Sequence, residues 1–284
     1  MKNERSTKTA LFLTCLLLAA IGLASCCCIN IGDGFKAEYE RTVQLSAPLS
    51  AGSVFAARTH NGSITIRGGE TADCNVTAKI AAQAGSDEEA KKLAEETKIT
   101  LEPFGNKLTA RIQQPTCIMN QSVSVSFDVT LPNQADLELT THNGAVSITN
   151  ITGHVDATTH NGRVTAESIS GMMKLRTHNG QITCGEISGD MELQTHNGSV
   201  EAVCSKSASA VSNISIVTHN GGIDFIAPPN LSAAIEVSTH NGSIDSDFPI
   251  TIIGEVNKKQ LRGTIGQGQG KLHLETHNGS IKIR

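Results

Sequence analysis

Eight of the ten histidines fall within one tetrad, Thr-His-Asn-Gly, which begins at Thr59, Thr141, Thr159, Thr177, Thr195, Thr218, Thr239 and Thr276. Imidazole ligates metals, takes up protons near neutral pH and serves as general acid or base. Three consecutive intervals, His142 to His160 to His178 to His196, are each 18 residues long. If each interval is one turn of a repeating fold, these four rings form a column with members about 4.8 Å apart. Neighbouring rings could then converge on one Zn²⁺, Cu²⁺ or Ni²⁺ at ~2.0–2.1 Å from each nitrogen. His142, His160, His178 and His196 are therefore the candidate metal ligands, and a divalent transition metal is the one candidate cofactor. Against this, no acidic residue recurs beside every histidine to orient it.

Proton uptake is the second chemistry. The formal charge moves from -4 toward +6 if all ten histidines protonate, which would change contacts with anionic envelope polymers between about pH 5 and 7. Catalysis finds less support. Acid-base work on sugars needs paired carboxylates in a groove, and Asp224 and Asp245, which follow two of the tetrads, are replaced by Thr65, Ser147, Thr165, Thr183, Glu201 and Lys282 after the others. Gly-x-Ser-x-Gly is absent, so a carbohydrate-active β-helix enzyme is the weakest of the readings and no catalytic residue is named. The plainest reading is a duplicated corner in which histidine is a solvated residue. The other outward positions are mixed in the same way: Glu138, Asp156, Lys174 and Glu192 in one column, Thr140, Thr158, Arg176 and Gln194 in the next. Asp156, Lys174 and Glu192 are placed to pair across rungs.

The elements that position the histidines follow from parity. The second and fourth residues before each tetrad threonine are always apolar, from Phe55/Ala57 through Met173/Leu175 to Leu272/Leu274. A period of two means strands, with each tetrad threonine pointing inward and each histidine outward. Two residues after each glycine stands Ile64, Val146, Val164, Ile182, Val200, Ile223, Ile244 or Ile281, opening a second strand with the same buried face. Asn-Gly is then the corner between them, expected because both residues tolerate positive φ. "NITG", "SISG" and "EISG" mark the opposite corner. An antiparallel meander with Asn-Gly hairpins also fits the parity. A parallel β-solenoid is preferred, because near-identical short repeats stack their apolar residues into one core. The last tetrad opens "THNGSIKIR", which reads as an open final edge with Lys282 and Arg284 discouraging strand addition.

Composition agrees with an all-β chain: aromatics are 3%, tryptophan is absent and glycine numbers 26 among 284 residues. With Tyr39 as the one tyrosine, stacking on sugars or bases is limited, and without a basic patch nucleic acid is excluded as a partner. In the less regular first half, "SDEEAKKLAEETKI" predicts one short helix, with Ser86 as N-cap, Glu89 completing a capping box, and Ala90, Leu93 and Ala94 on one apolar face. Lys2, Arg5 and Lys8 precede the apolar "ALFLTCLLLAAIG", the pattern of an export signal. "LASC" follows and resembles the lipobox of bacterial lipoproteins, which implies lipidation at Cys26. The chain divides into a signal peptide (1–25), a tether (26–40) and one domain (41–284), irregular over 41–131 and regular over 132–284. Cys184 and Cys204 fall at inward positions, as core thiols or disulfide partners, while Cys74 and Cys117 lie in the irregular part and no pairing is fixed.

The order lipobox, "THNGSITIRG", "SDEEA", "GNKLTARI", "VSVSFDVTLP" and then rungs of the form L-x-T-H-N-G-x-V-x-I resembles the bacterial family named "putative adhesin", β-strand repeat proteins of the cell envelope with no assigned function. The resemblance spans about residues 41 to 284. It implies a β-solenoid at the cell envelope and carries no catalytic motif; joined to the lipobox, the whole reads as a lipid-anchored, non-catalytic protein that binds an envelope or extracellular macromolecule or serves envelope structure. Histidine before Asn-Gly departs from the family, so the resemblance leaves the histidines unexplained.

Overall fold

A computed structural model describes residues 37–116, 120–252 and 259–284. The expected signal peptide, Cys26 and Cys117 lie outside the described residues.

Among the described residues the strands form two sheets, one of eleven and one of twelve strands, with the apolar core between them. The repeats build a parallel solenoid. In the twelve-stranded sheet, Asp136–Asn143, Val155–Asn161, Met173–Asn179, Met191–Asn197 and Asn213–Asn220 stack in register, so that Leu137, Val155, Met173, Met191 and Ile214 form one inward column. After each Asn-Gly corner the chain crosses to the eleven-stranded sheet, where Ile64, Val146, Val164, Ile182, Val200 and Ile223 form the facing column, each at most 2% exposed. Ile244 lies on an edge strand and is only half-buried. Parity thus holds on both faces: the eight tetrad threonines are 2–6% exposed and the eight histidines are exposed.

The return corner uses a different device. Asn150, Ser168 and Glu186 adopt left-handed φ of 57°, 55° and 52°, kinking the strands so that Ile151, Ile169 and Ile187 turn back into the core. Such bulged, left-handed residues re-aim a strand without ending its pairing.

The first part departs from solenoid regularity. Ala37–Pro48, Asp73–Ala84 and Ser122–Pro132 pair antiparallel at one end of the eleven-stranded sheet, and the hairpin Lys98–Phe104/Lys107–Gln113 ends the other sheet. The one helix among the described residues, Asp87–Glu96, is capped by Ser86, whose side chain accepts from the Glu89 N–H, and it buries Ala90, Leu93 and Ala94 as expected.

The last rung is not an edge. Gly270–Asn278 lies between Asn213–Asn220 and Ala233–Asn241, and Ile281–Ile283 lies between Ile223–Ile226 and Ile244–Ser246. The expectation of an open final rung is therefore overturned. This order alternates charge. With the last rung inserted, Lys282 stands in register between Asp224 and Asp245, and Arg284 pairs with Asp224, whereas stacking in chain order would put the two aspartates side by side. The Ala233–Asn241 strand is then covered by an antiparallel addition, Gln260–Ile265, followed by Thr251–Ile252.

Candidate functional site

The tetrad generates four ladders, one per residue, running the length of the solenoid. The threonines act first. Each buried Oγ1 donates to the carbonyl of the corner glycine one rung away, from Thr141 to Gly62 through Thr239 to Gly279, at 2.8–3.0 Å. Thr59 donates instead to the Val125 carbonyl at 2.9 Å.

The asparagines form an unbroken amide ladder. Each Nδ2 donates to the Oδ1 of its neighbour at 2.7–2.8 Å, in the order Asn61, Asn143, Asn161, Asn179, Asn197, Asn220, Asn278, Asn241. This revises the reason for Asn-Gly. None of these asparagines has positive φ, and of the eight corner glycines only Gly62 and Gly221 do. Glycine is required by close approach: a Cβ on any of the eight would sit 1.9–2.1 Å from a carbonyl oxygen of the adjacent rung. Asparagine serves here as a cross-rung hydrogen-bonding residue rather than a turn former, a role that shows only once the rungs are stacked.

The histidines stack. The sequence His60, His142, His160, His178, His196, His219, His277, His240 is one continuous column with centroids 4.6–4.8 Å apart and interplanar angles of 1–23°. His142, His160, His178 and His196 are therefore consecutive, as the 18-residue spacing predicts. Their arrangement does not suit a metal as it stands. Near-parallel rings hold equivalent nitrogens about as far apart as the centroids, whereas one ion at ~2.0–2.1 Å from both needs them within ~4.2 Å. Among the described residues no group of three or more His, Cys, Asp or Glu is placed to hold a metal ion.

Beside the histidines runs a second outward column, two residues earlier on each strand: Arg58, Thr140, Thr158, Arg176, Gln194, Val217 and Glu275. Two strand residues span about 6.6 Å, and between the columns lies a groove of about 980 Å³, lined at its Arg58 end by Ile112 and Gln114 as well. The groove was missed in the sequence because its walls are defined by two columns read separately.

Charge on this face is paired on the far side of the second column. Glu192 receives Lys174 at 2.9 Å and Arg176 at 2.8 Å. The hydrogen bond from Lys174, helped by the charge of both cations and opposed by slight desolvation, holds the Glu192 carboxyl below its ordinary range. Lys107 similarly meets Glu138 at 2.5 Å.

The inward thiols are inert by environment. Cys74, Cys184 and Cys204 are buried and unbridged. Burial pushes Cys74 and Cys204 up to about 12 and raises Cys184 further, with the charge of Cys204 adding to it.

Residues 53–284 match a family model, Toastrack DUF4097. No curated protein matches the sequence. Among solved structures, a "putative cell adhesion protein" from Clostridium sporogenes ATCC 15579 is 11% identical, covers 86% of this chain and 99% of its own, and superposes with a TM-score of 0.39. A "putative adhesin" from Bacteroides fragilis NCTC 9343 is 13% identical over 86% of this chain and 97% of its own, at 0.40. A "putative lipid binding protein" from Parabacteroides distasonis ATCC 8503 is 11% identical over 86% and 96%, at 0.42.

Proposed function

The chain belongs to the Toastrack DUF4097 family, and from that premise we propose that it is an exported, lipid-anchored solenoid whose rigid polar face binds an envelope or extracellular macromolecule, without chemistry of its own. The observation that carries this reading is the groove beside the histidine column, in which six steps of 4.7–4.8 Å repeat the same imidazole over about 29 Å. A surface ordered by translation rather than by convergence suits a long partner better than a small substrate, because catalysis needs unlike groups aimed at one point. The ladders fix the groove's shape before any partner arrives, which lowers the ordering cost of binding.

The N-terminal "LASC" supports anchoring through Cys26, and the segment between that cysteine and Ala37 acts as a spacer. Among the described residues no helix is long and apolar enough to cross a membrane.

Two measurements test the proposal together. Cells expressing the full chain are fed an alkynyl fatty acid and fractionated. The wild-type chain should carry the label and sediment with membranes, and Cys26→Ala should lose both. The purified full chain should also retain polymer from solubilised envelopes in a saturable manner. A chain that stays unlabelled in the cytosol, or one that retains nothing, refutes the reading.

A further inference from the structure

The groove can be read as a binding site with a stated ligand class, an inference that rests on the binding role proposed above and names its ligand. We propose that it takes a linear polysaccharide bearing carboxylates, laid along the solenoid axis with about one sugar ring per rung.

The lining is rich in donors. On one wall stand the imidazoles of His60, His142, His160, His178, His196, His219 and His277; on the other stand Arg58, Thr140, Thr158, Arg176 and Gln194. Among the described residues that line it, Glu275 is the one carboxylate, and it sits toward the end away from Arg58, beside His277. Arg58 is exposed, whereas Arg176 shares its charge with Glu192 from the neighbouring column. The charged groups facing the histidines are thus two arginines and one glutamate. A ligand rich in acceptors matches this lining, and a negative charge on it matches the Arg58 end of the groove.

Periodicity selects among polyanions. The groove repeats every 4.6–4.8 Å. An extended polypeptide advances ~3.3–3.4 Å per residue and falls out of step within two rungs. Single-stranded nucleic acid relies on aromatic platforms for its bases, and the groove offers no Trp, Tyr or Phe. A pyranose chain in an extended linkage advances close to one ring per rung, so each ring meets one imidazole on one wall and one residue of the mixed column on the other. Both walls also have polar edges suited to hydroxyl and carboxylate groups.

Imidazole gains a second N–H donor and a positive charge on protonation, which favours an anionic ligand over a neutral one. Neighbouring rings 4.6–4.8 Å apart repel once charged. A polyanion between the columns offsets that repulsion, so ligand binding and proton uptake reinforce each other.

The test uses the full-length protein in detergent micelles with fluorescent oligogalacturonates of three to twelve rings at pH 7.5 and 5.5. Uncharged cello-oligosaccharides and poly-L-glutamate serve as controls. Affinity should rise with length and level off near about seven rings, the span of the column. It should tighten at least tenfold at the lower pH and fall at least tenfold in Arg58→Ala/Arg176→Ala. Thr158→Trp, which fills the middle of the groove from a half-exposed position, should abolish binding. If that variant misfolds by circular dichroism, Gln194→Trp replaces it. No oligouronate binding at either pH, or binding unaffected by the blocking variant, overturns the proposal. Equal affinity for the uncharged oligosaccharide removes the carboxylate from it, and equal affinity for poly-L-glutamate removes the sugar repeat. If these fail while Cys26-dependent labelling and envelope retention hold, the ligand class is wrong and the surface-binding role stands.

Discussion

Gly162→Ala distinguishes the two reasons for which the corner could need glycine. The residue lies outside the left-handed region. If backbone freedom were all that mattered, alanine would be tolerated, and by restricting the unfolded chain it would raise stability by about 0.4–1 kcal/mol. The geometry says otherwise. The added Cβ would stand 2.0 Å from the Gly144 carbonyl oxygen, against ordinary contact at 3.4 Å and beyond, so the two rungs must part by more than an ångström. Three bonds cross that gap: Thr159 Oγ1 to Gly144 O at 2.9 Å, Asn161 Nδ2 to Asn143 Oδ1 at 2.8 Å, and the Gly144 N–H to Asn161 O at 3.0 Å. Losing each costs about 1 kcal/mol, and overpacking adds about 1–3 kcal/mol. The expected destabilisation is about 4–6 kcal/mol, read from urea unfolding of the full chain by circular dichroism. Gly105→Ala is the control: φ is +60° and nothing lies within 4 Å of its Cβ, so the cost should be only that of a left-handed alanine, about 1–2 kcal/mol. A Gly162→Ala protein as stable as wild type, or more so, refutes the close-approach argument.

Thr159→Val keeps the shape and removes the donor to Gly144; it should cost about 1 kcal/mol in the same unfolding assay, because the half-buried Gly144 carbonyl loses its side-chain donor. Peptide-resolved alkylation at pH 8 should leave Cys74, Cys184 and Cys204 unmodified in the native protein and modify all three in denaturant, since burial both blocks them and disfavours their thiolates. Zinc or nickel titrated by calorimetry should give the same weak response in wild type and in the His142→Ala/His160→Ala/His178→Ala/His196→Ala variant. A tight site lost in the variant would mean that the rings leave their stack to chelate. Ser86→Ala should cost about 1 kcal/mol by exposing the helix N-terminus.

Much of the architecture was legible because inward positions repeat. Phe55/Ala57 and their seven counterparts specify a buried face without any knowledge of neighbours, and Ser86 with Ala90, Leu93 and Ala94 specifies the helix in the same local way. What was not legible depends on which rung lies beside which. The tetrads are nearly interchangeable, so their ladders form equally well in several stacking orders, and the insertion of the last rung is decided by residues outside them. Asp224, Lys282 and Asp245 hold that information, but only as a pattern of charges to be alternated. "NITG", "SISG" and "EISG" mark the return corner, but the left-handed backbone of Asn150, Ser168 and Glu186 was not legible, because Ser and Glu give no local sign of it. The groove is legible only after both the strand parity and the rung order are known.

The inserted rung also sets a timetable for the chain. Residues 233–246 meet the solenoid body through residues 270–283, which lie between them and the strands of residues 213–226. A chain that winds rung by rung as it emerges from a ribosome or a membrane channel must therefore halt after residue 226. The segment that follows has to wait, its long-range pairing deferred until material synthesised later has arrived to form its seat. Completion is a single late event: one stretch wedges in, and the histidine and asparagine files, broken until then, become continuous from end to end.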